Sequence, residues 1–116
     1  MQLDVYLAVE DLDRSVEFYS KVFNGPPVTR TANYVGFAVG DSRFGLMAAA
    51  GYAVPVQRGN SAVPTIKVDR LDEWHGRMKA LAPKTTNIID KGAIRLFMFL
   101  DPDGNVIEVA ALGVKG

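Results

Sequence analysis

Glu108 is a carboxylate set inside an apolar strand, between Ile107 and Val109 and directly after the run Asp101-Pro102-Asp103-Gly104-Asn105. Side chains alternate along a strand, so Glu108 must face a cavity, a partner or water while its two neighbours pack on the opposite face. One kind of chemistry suits a carboxylate so placed. Apolar surroundings favour the protonated form of a carboxyl group, which fits it to abstract a proton beside a carbonyl. Asp4, Tyr6, Thr65 and Lys67 are the other polar residues on expected strands that could share such a site. The single histidine, His75, stands beside Trp74 in an expected helix. One histidine is too few for a two-His, one-carboxylate iron centre, and it reads as a packing or surface residue. Trp74, Met78 and Leu81 recur at helical spacing and read as core. With no cysteine, disulfides, thiolate nucleophiles and cysteine-based zinc sites are all excluded.

The elements that must position Glu108 follow from the local chemistry. Residues 97–100 are a bulky run, Asp-Pro-Asp-Gly-Asn is concentrated turn chemistry, and residues 106–109 resume the strand, so the stretch reads as a hairpin. That hairpin closes the second of two similar halves. Val9-Glu10-Asp11-Leu12-Asp13 and Val68-Asp69-Arg70-Leu71-Asp72 align at a spacing of 59 residues, each ending a strand and opening a helix. The first half predicts a strand at 3–9, a helix at 12–23 with Val16, Phe18, Tyr19, Val22 and Phe23 on its apolar side, and strands near 27–31, 34–39 and 44–48. The second half repeats that order: a strand at 63–68, a helix at 71–81, and strands near 86–89, 94–100 and 106–111. Units of this size cannot cover their own apolar faces, so the two copies are expected to pack on each other in one domain over residues 1–116. A first module at 1–52, a linker at 53–61 and a second module at 62–116 are expected, the linker being marked by Pro55, Arg58, Gly59 and Asn60.

Composition agrees with a compact domain and excludes several partners. A chain of 116 residues, 48% hydrophobic, supports one core and not two independent ones. Thirteen basic and 13 acidic residues leave no net charge to draw the chain to nucleic acid or to an anionic membrane. No apolar stretch reaches the roughly 18 residues of a membrane helix. The first strand is expected to begin within three residues of the N-terminus, leaving no room for a signal peptide, so a cytoplasmic location is expected.

The doubled strand-helix-three-strand order, the Val-x-Asp-Leu-x-x-Ser-x-x-Phe-Tyr pattern of residues 9–19 and the closing Asp-Pro-Asp-Gly-Asn-x-Ile-Glu motif resemble the glyoxalase, bleomycin resistance and extradiol dioxygenase group, the vicinal oxygen chelate superfamily. The resemblance covers nearly the whole chain. It implies an α+β fold in which two βαβββ modules curl their strands into a cup-shaped mixed sheet with the helices outside and a ligand in the cup. In the metal enzymes of that family four side chains line the cup, one on the first and one on the last strand of each half. Carried over residue by residue, these positions fall on Asp4, Val63, Leu46 and Glu108. Two of the four are aliphatic, so no metal cofactor is expected; only Asp4 and Glu108 could contribute, to a weak, magnesium-like divalent site.

Alternation extends the candidate lining. If Asp4 faces inward, Tyr6 and Ala8 do too, while Val5, Leu7 and Val9 pack under a helix. The same rule groups Thr65 and Lys67 with Val63, Val106 with Glu108, and Phe44 with Leu46. Residues 95–100 fit either way, which leaves Phe97 and Phe99 as candidates. The ligand-binding set is thus Asp4, Tyr6, Leu46, Val63, Thr65 and Glu108: apolar walls with a few polar groups that fix orientation. Two functions compete. One is a metal-free protein that binds a small, partly apolar drug or metabolite, as the drug-binding members of the family do in antibiotic resistance. The other is a lyase, isomerase or dioxygenase with an atypical metal site, or with Glu108 as general base. Bleomycin itself fits poorly, because a cationic drug calls for an acidic groove and this chain is neutral. Open sheet edges in each half, and the habit of the family it resembles, imply a homodimer.

Overall fold

The computed structural model describes residues 2–49 and 62–112. The chain divides into two compact units, Met1–Gly59 and Asn60–Gly116. The linker expected at 53–61 lies outside the described residues. Each unit is an open mixed sheet with one helix, so the architecture is the α+β doubling that the repeat implied.

In the first unit the elements are β1 (Val5–Val9), α1 (Leu12–Val22), β2 (Thr29–Arg30), β3 (Tyr34–Val39) and β4 (Ser42–Ala48), with sheet order β1-β4-β3-β2. β1 runs parallel to β4, and the other pairs are antiparallel. The helix starts where Asp11, extended at φ −117°, accepts the backbone N–H of Arg14 at 3.1 Å. It stops where Asn24 turns left-handed at φ 54° and the Gly25 N–H reaches back to the Ser20 carbonyl at 2.9 Å. Ser15, Phe18, Tyr19 and Val22 recur at helical spacing and are buried. Their partners are aromatic: Tyr19 lies 4.9 Å from Phe44 between ring centroids, and Phe23 lies 5.4 Å from Phe37 and 5.3 Å from Phe44. The second strand, Thr29–Arg30, is shorter than the expected 27–31; Pro27 has no N–H to offer the ladder at its start, and Val28 and Thr31 still donate to Gly36 and Tyr34 at 2.8 Å.

In the second unit the elements are β5 (Thr65–Lys67), α2 (Leu71–Leu81), β6 (Lys84–Thr85), β7 (Ile89–Asp90), β8 (Ile94–Leu100) and β9 (Val106–Leu112). The sheet order is β5-β9-β8-β6, and β7 also pairs with β8. Leu71 and Met78 are the buried residues of α2, whereas Trp74 and Leu81 are only half-buried. The single strand expected at 86–89 is instead split in two around Thr86. The Thr86 carbonyl is diverted to His75 Nε2 at 2.8 Å, and the Met98 N–H is taken by Thr86 Oγ1 at 3.0 Å. A hydroxyl thus replaces a backbone carbonyl in the ladder, and His75 ties the helix to the sheet, its ring 4.9 Å edge-on to Phe97. None of the described helices is long and apolar enough to cross a membrane.

The turn between β8 and β9 is organised by Asp101, which is only 1% exposed. Its Oδ1 accepts the N–H groups of Asp103 at 2.9 Å and Asn105 at 2.8 Å, and its Oδ2 accepts the Asn105 side-chain amide at 2.9 Å. Gly104 takes the left-handed conformation the turn requires, at φ 83°. Asp101→Ala should cost about 2–3 kcal/mol, because it removes the charged acceptor and strands buried donors. Asp11→Ala should cost only about 1 kcal/mol, the usual worth of an exposed helix cap. Urea denaturation midpoints check both; equal losses would show that Asp101 does no more than an ordinary surface acceptor.

Candidate functional site

The pairing of the second sheet decides which side chains share a face with Glu108. Thr65 and Met98 are its cross-strand partners on β5 and β9's other neighbour β8, so all three project to the same side. Leu96, Ala110 and Lys67 follow one pleat further along that face, and Ile94 pairs with Leu112 beyond them. Ile66, Phe97, Phe99, Ile107 and Val109 occupy the opposite, buried face, where Phe97 meets His75 of α2. Phe97 and Phe99 therefore leave the candidate list, and Met98 enters it. Glu108 is half-buried, and the Thr65 hydroxyl donates to its Oε1 at 3.0 Å. Its backbone N–H donates to the Pro64 carbonyl at 2.9 Å, which holds the strand end beside Val63. Val63 itself precedes β5 and is 42% exposed. Arg95, a conceivable ion-pair partner for Glu108, is bound instead to Asp72 at 3.3 Å. Glu108 thus keeps one carboxylate oxygen free of any described protein donor. Beside this face opens a groove of about 340 Å³.

The first unit presents a different surface at the corresponding places. Tyr6 pairs with Gly45, and Gly45 pairs with Gly36. Phe44 and Leu46 pair with Val5 and Leu7, and Leu46 is fully buried on the side covered by α1. The expectation that Leu46 faces the ligand together with Tyr6 is corrected by this register: the counterpart of Glu108 is Gly45. With the tyrosines where they stand, a Cβ at Gly45 would overlap the Tyr6 ring and stand 2.9 Å from Tyr34, and one at Gly36 would displace the tip of Tyr34. Tyr6 and Tyr34 meet edge to face with centroids 5.3 Å apart, and Tyr6 remains 47% exposed. Sequence reasoning missed Tyr34; the signal available was glycine at the centre of two strands, which marks a close approach of something bulky. Burial, then hydrogen bonding and charge at Tyr6, raise the Tyr34 pKa above its ordinary 10.0.

Asp4 stands at the end of this face. The Gln2 side-chain amide donates to its Oδ1 at 2.8 Å and the Arg43 backbone N–H at 2.9 Å. These bonds, with the Arg43 charge, hold its pKa below the ordinary 3.8. Taken as metal donors, the positions of the first unit offer Asp4, with one oxygen already engaged twice, and a glycine hydrogen, and those of the second offer the Val63 hydrocarbon and the Glu108 carboxylate. Among the described residues no group of three or more His, Cys, Asp or Glu is placed to hold a metal ion. A donor set of this kind does not fit a zinc or iron centre.

Residues 2–109 of the sequence match the glyoxalase/bleomycin resistance protein/dioxygenase superfamily. No curated protein matches. Among solved structures the chain is similar to a glyoxalase/bleomycin resistance protein from Catenulispora acidiphila, with a TM-score of 0.76 at 17% identity over 97% of this chain and 98% of that one. A lactoylglutathione lyase from Agrobacterium tumefaciens gives 0.77 at 22% identity over 96% and 92%. The bleomycin resistance determinant encoded on transposon Tn5 gives 0.76 at 19% identity over 98% and 99%. At these identities the likeness is one of fold.

Two outcomes follow from the tyrosine-covered glycines. Glycine to alanine inside a strand ordinarily stabilises, but Gly45→Ala should destabilise by about 1–3 kcal/mol through overpacking. In a Tyr6→Ala background the same change should lose most of that cost; additive effects in denaturation would refute the contact. The Tyr34 shift carries a sign as well. The contribution of Tyr34 is complete below pH 10.0 and is lost as pH rises toward the raised folded value, because the unfolded chain ionises first. Tyr34→Phe should flatten that alkaline loss, read from urea midpoints across the titration.

Proposed function

Within the glyoxalase/bleomycin resistance protein/dioxygenase superfamily, to which this chain belongs, we propose that the protein binds a small, partly apolar molecule without a metal. The observation that carries the reading is Glu108: half-buried among the apolar residues of its sheet face, oriented by Thr65 at 3.0 Å, and with an oxygen left over for a ligand. Thr65 fixes the carboxylate so that little side-chain entropy is lost when a ligand donor arrives. Met98 and Val106, both half-buried, supply apolar surface around it, over the buried Leu96 and Ala110. Asp4, Tyr6 and Tyr34 give the first unit a second polar and aromatic surface suited to the same class of ligand. The bleomycin resistance determinant among the structural relatives makes drug binding one form that this function can take. A homodimer belongs to the same reading, since β1 and β5 each end their own sheet with an edge unpaired among its described strands; a cytoplasmic location is proposed with it. Light scattering giving a monomer mass would remove the dimer.

A second reading rests on the same free oxygen: Glu108 as general base for a lyase or isomerase step beside a carbonyl, as the lactoylglutathione lyase relative suggests. Exchange of a carbonyl-adjacent proton for deuterium, catalysed by wild type and abolished in Glu108→Gln, would favour it over binding alone.

The Glu108→Gln variant also tests the primary reading. An isosteric amide still accepts the Thr65 hydroxyl and avoids the cost of desolvating a charge, so stability should hold or rise slightly. Binding of molecules found by a thermal-shift screen should weaken about tenfold or more, the worth of a charged hydrogen bond. Loss of stability with unchanged binding would make Glu108 structural and overturn the proposal. In parallel, chelator treatment should leave Tm unchanged, because a tightly bound metal would stabilise the fold by mass action. One equivalent of transition metal in the purified protein would end the metal-free reading.

A further inference from the structure

The groove beside the Glu108 face carries charges of both signs on apolar walls. Lys67, Asp69, Ile94, Ala110 and Leu112 line it, and its volume is about 340 Å³. Lys67 pairs with Ala110 and Ile94 with Leu112, so these four side chains project to the same side of the sheet as Glu108. Leu112 is 86% exposed, more than any other large hydrophobic among the described residues. Lys67 and Asp69 are two residues apart, yet they form no ion pair with each other or with another described residue. An anion alone would gain at Lys67 and be repelled by Asp69; a cation alone would meet the reverse. A molecule carrying both charges close together satisfies both, and its hydrocarbon part covers Leu112. The volume lies at the small end of ligand sites, roughly 300–1,000 Å³, which suits a molecule of amino-acid size better than a large drug.

We infer that this groove binds an apolar α-amino acid or a zwitterion of the same kind, with its carboxylate on the Lys67 ammonium, its ammonium on the Asp69 carboxylate and its side chain against Ile94, Ala110 and Leu112. The inference rests on the reading of this sheet face as a small-molecule site and names the class of molecule that the face takes.

The test is a titration followed by amide chemical shifts, with L-leucine, L-phenylalanine, N-acetyl-L-leucine and L-leucinamide as probes. The free amino acids should shift the amides of Val68, Ala110 and Ala111. Each capped derivative, having lost one charge, should bind about tenfold more weakly or worse. Lys67→Gln should abolish the preference for leucine over leucinamide, and Asp69→Asn the preference for leucine over its N-acetyl form. Both side chains are exposed and outside the core, so neither change should unfold the protein. Equal binding of free and capped probes, or no shifts at millimolar leucine, would overturn the inference. If thermal-shift hits that depend on Glu108 are found while leucine gives no shift, this inference falls alone and the small-molecule reading stands.

Discussion

A carboxylate that never meets solvent sets the direction of the one that does. Asp101 is closed in by three N–H donors from residues 103 and 105, and this fixes a turn of five residues between Leu100 and its partner Val106. Because the strand period is two, a turn longer or shorter by one residue would exchange the two faces of β9. Glu108 would then point under the helix, and Ile107 and Val109 would face outward. The buried charge is tolerated because its oxygens are satisfied by backbone and amide groups placed by the same turn. The polar chemistry of the exposed face depends in this way on polar chemistry hidden from it.

Much of this was legible in the sequence, and the reasons differ by element. Both helices carry their apolar residues at helical spacing, so their extents could be read within a residue. The long hairpin strands were equally readable from bulky runs on either side of strong turn residues. Leu46 shows where such reading fails. Gly36 corresponds to Met98 at a spacing of 62 residues, but past the turn Gly45 corresponds to Glu108 at 63, since the second turn is one residue longer. A spacing of 62 past the turn puts the counterpart of Glu108 on Leu46 rather than Gly45, one position out, and one position is one face. The split around Thr86 was hidden for another reason: it depends on His75 capturing a carbonyl 11 residues away, a contact that no local pattern encodes.

The two units show how one scaffold can carry two surfaces. In both, the helix-covered side is aromatic and aliphatic, filled by Tyr19, Phe37 and Phe44 in one and by Phe97, Phe99 and Met78 in the other. That side is constrained by close packing, where a change of one methylene is felt. The other side is close-packed only in places, at the tyrosine-covered Gly36 and Gly45 of the first unit and at Leu96 and Ala110 of the second. There the first unit has tyrosines lying on glycines, and the second has a threonine, a glutamate and a methionine. A shared fold therefore says little about what either surface recognises, and the chemistry must be read from the residues themselves.

The helices are also unequal at their starts. α1 begins on the Asp11 cap, whereas Arg70, in the same place before α2, makes no side-chain cap, and Gly76 sits mid-helix with open space where a Cβ would be. Both features lower the free energy needed to open a helix locally. Amide protons of α2 should consequently exchange with solvent through openings that leave α1 closed. Because His75 rides on α2 and holds the Thr86 carbonyl, each opening also releases the strand that supports Met98. The sheet face that carries Glu108 thus backs onto the helix that should open at the lower cost.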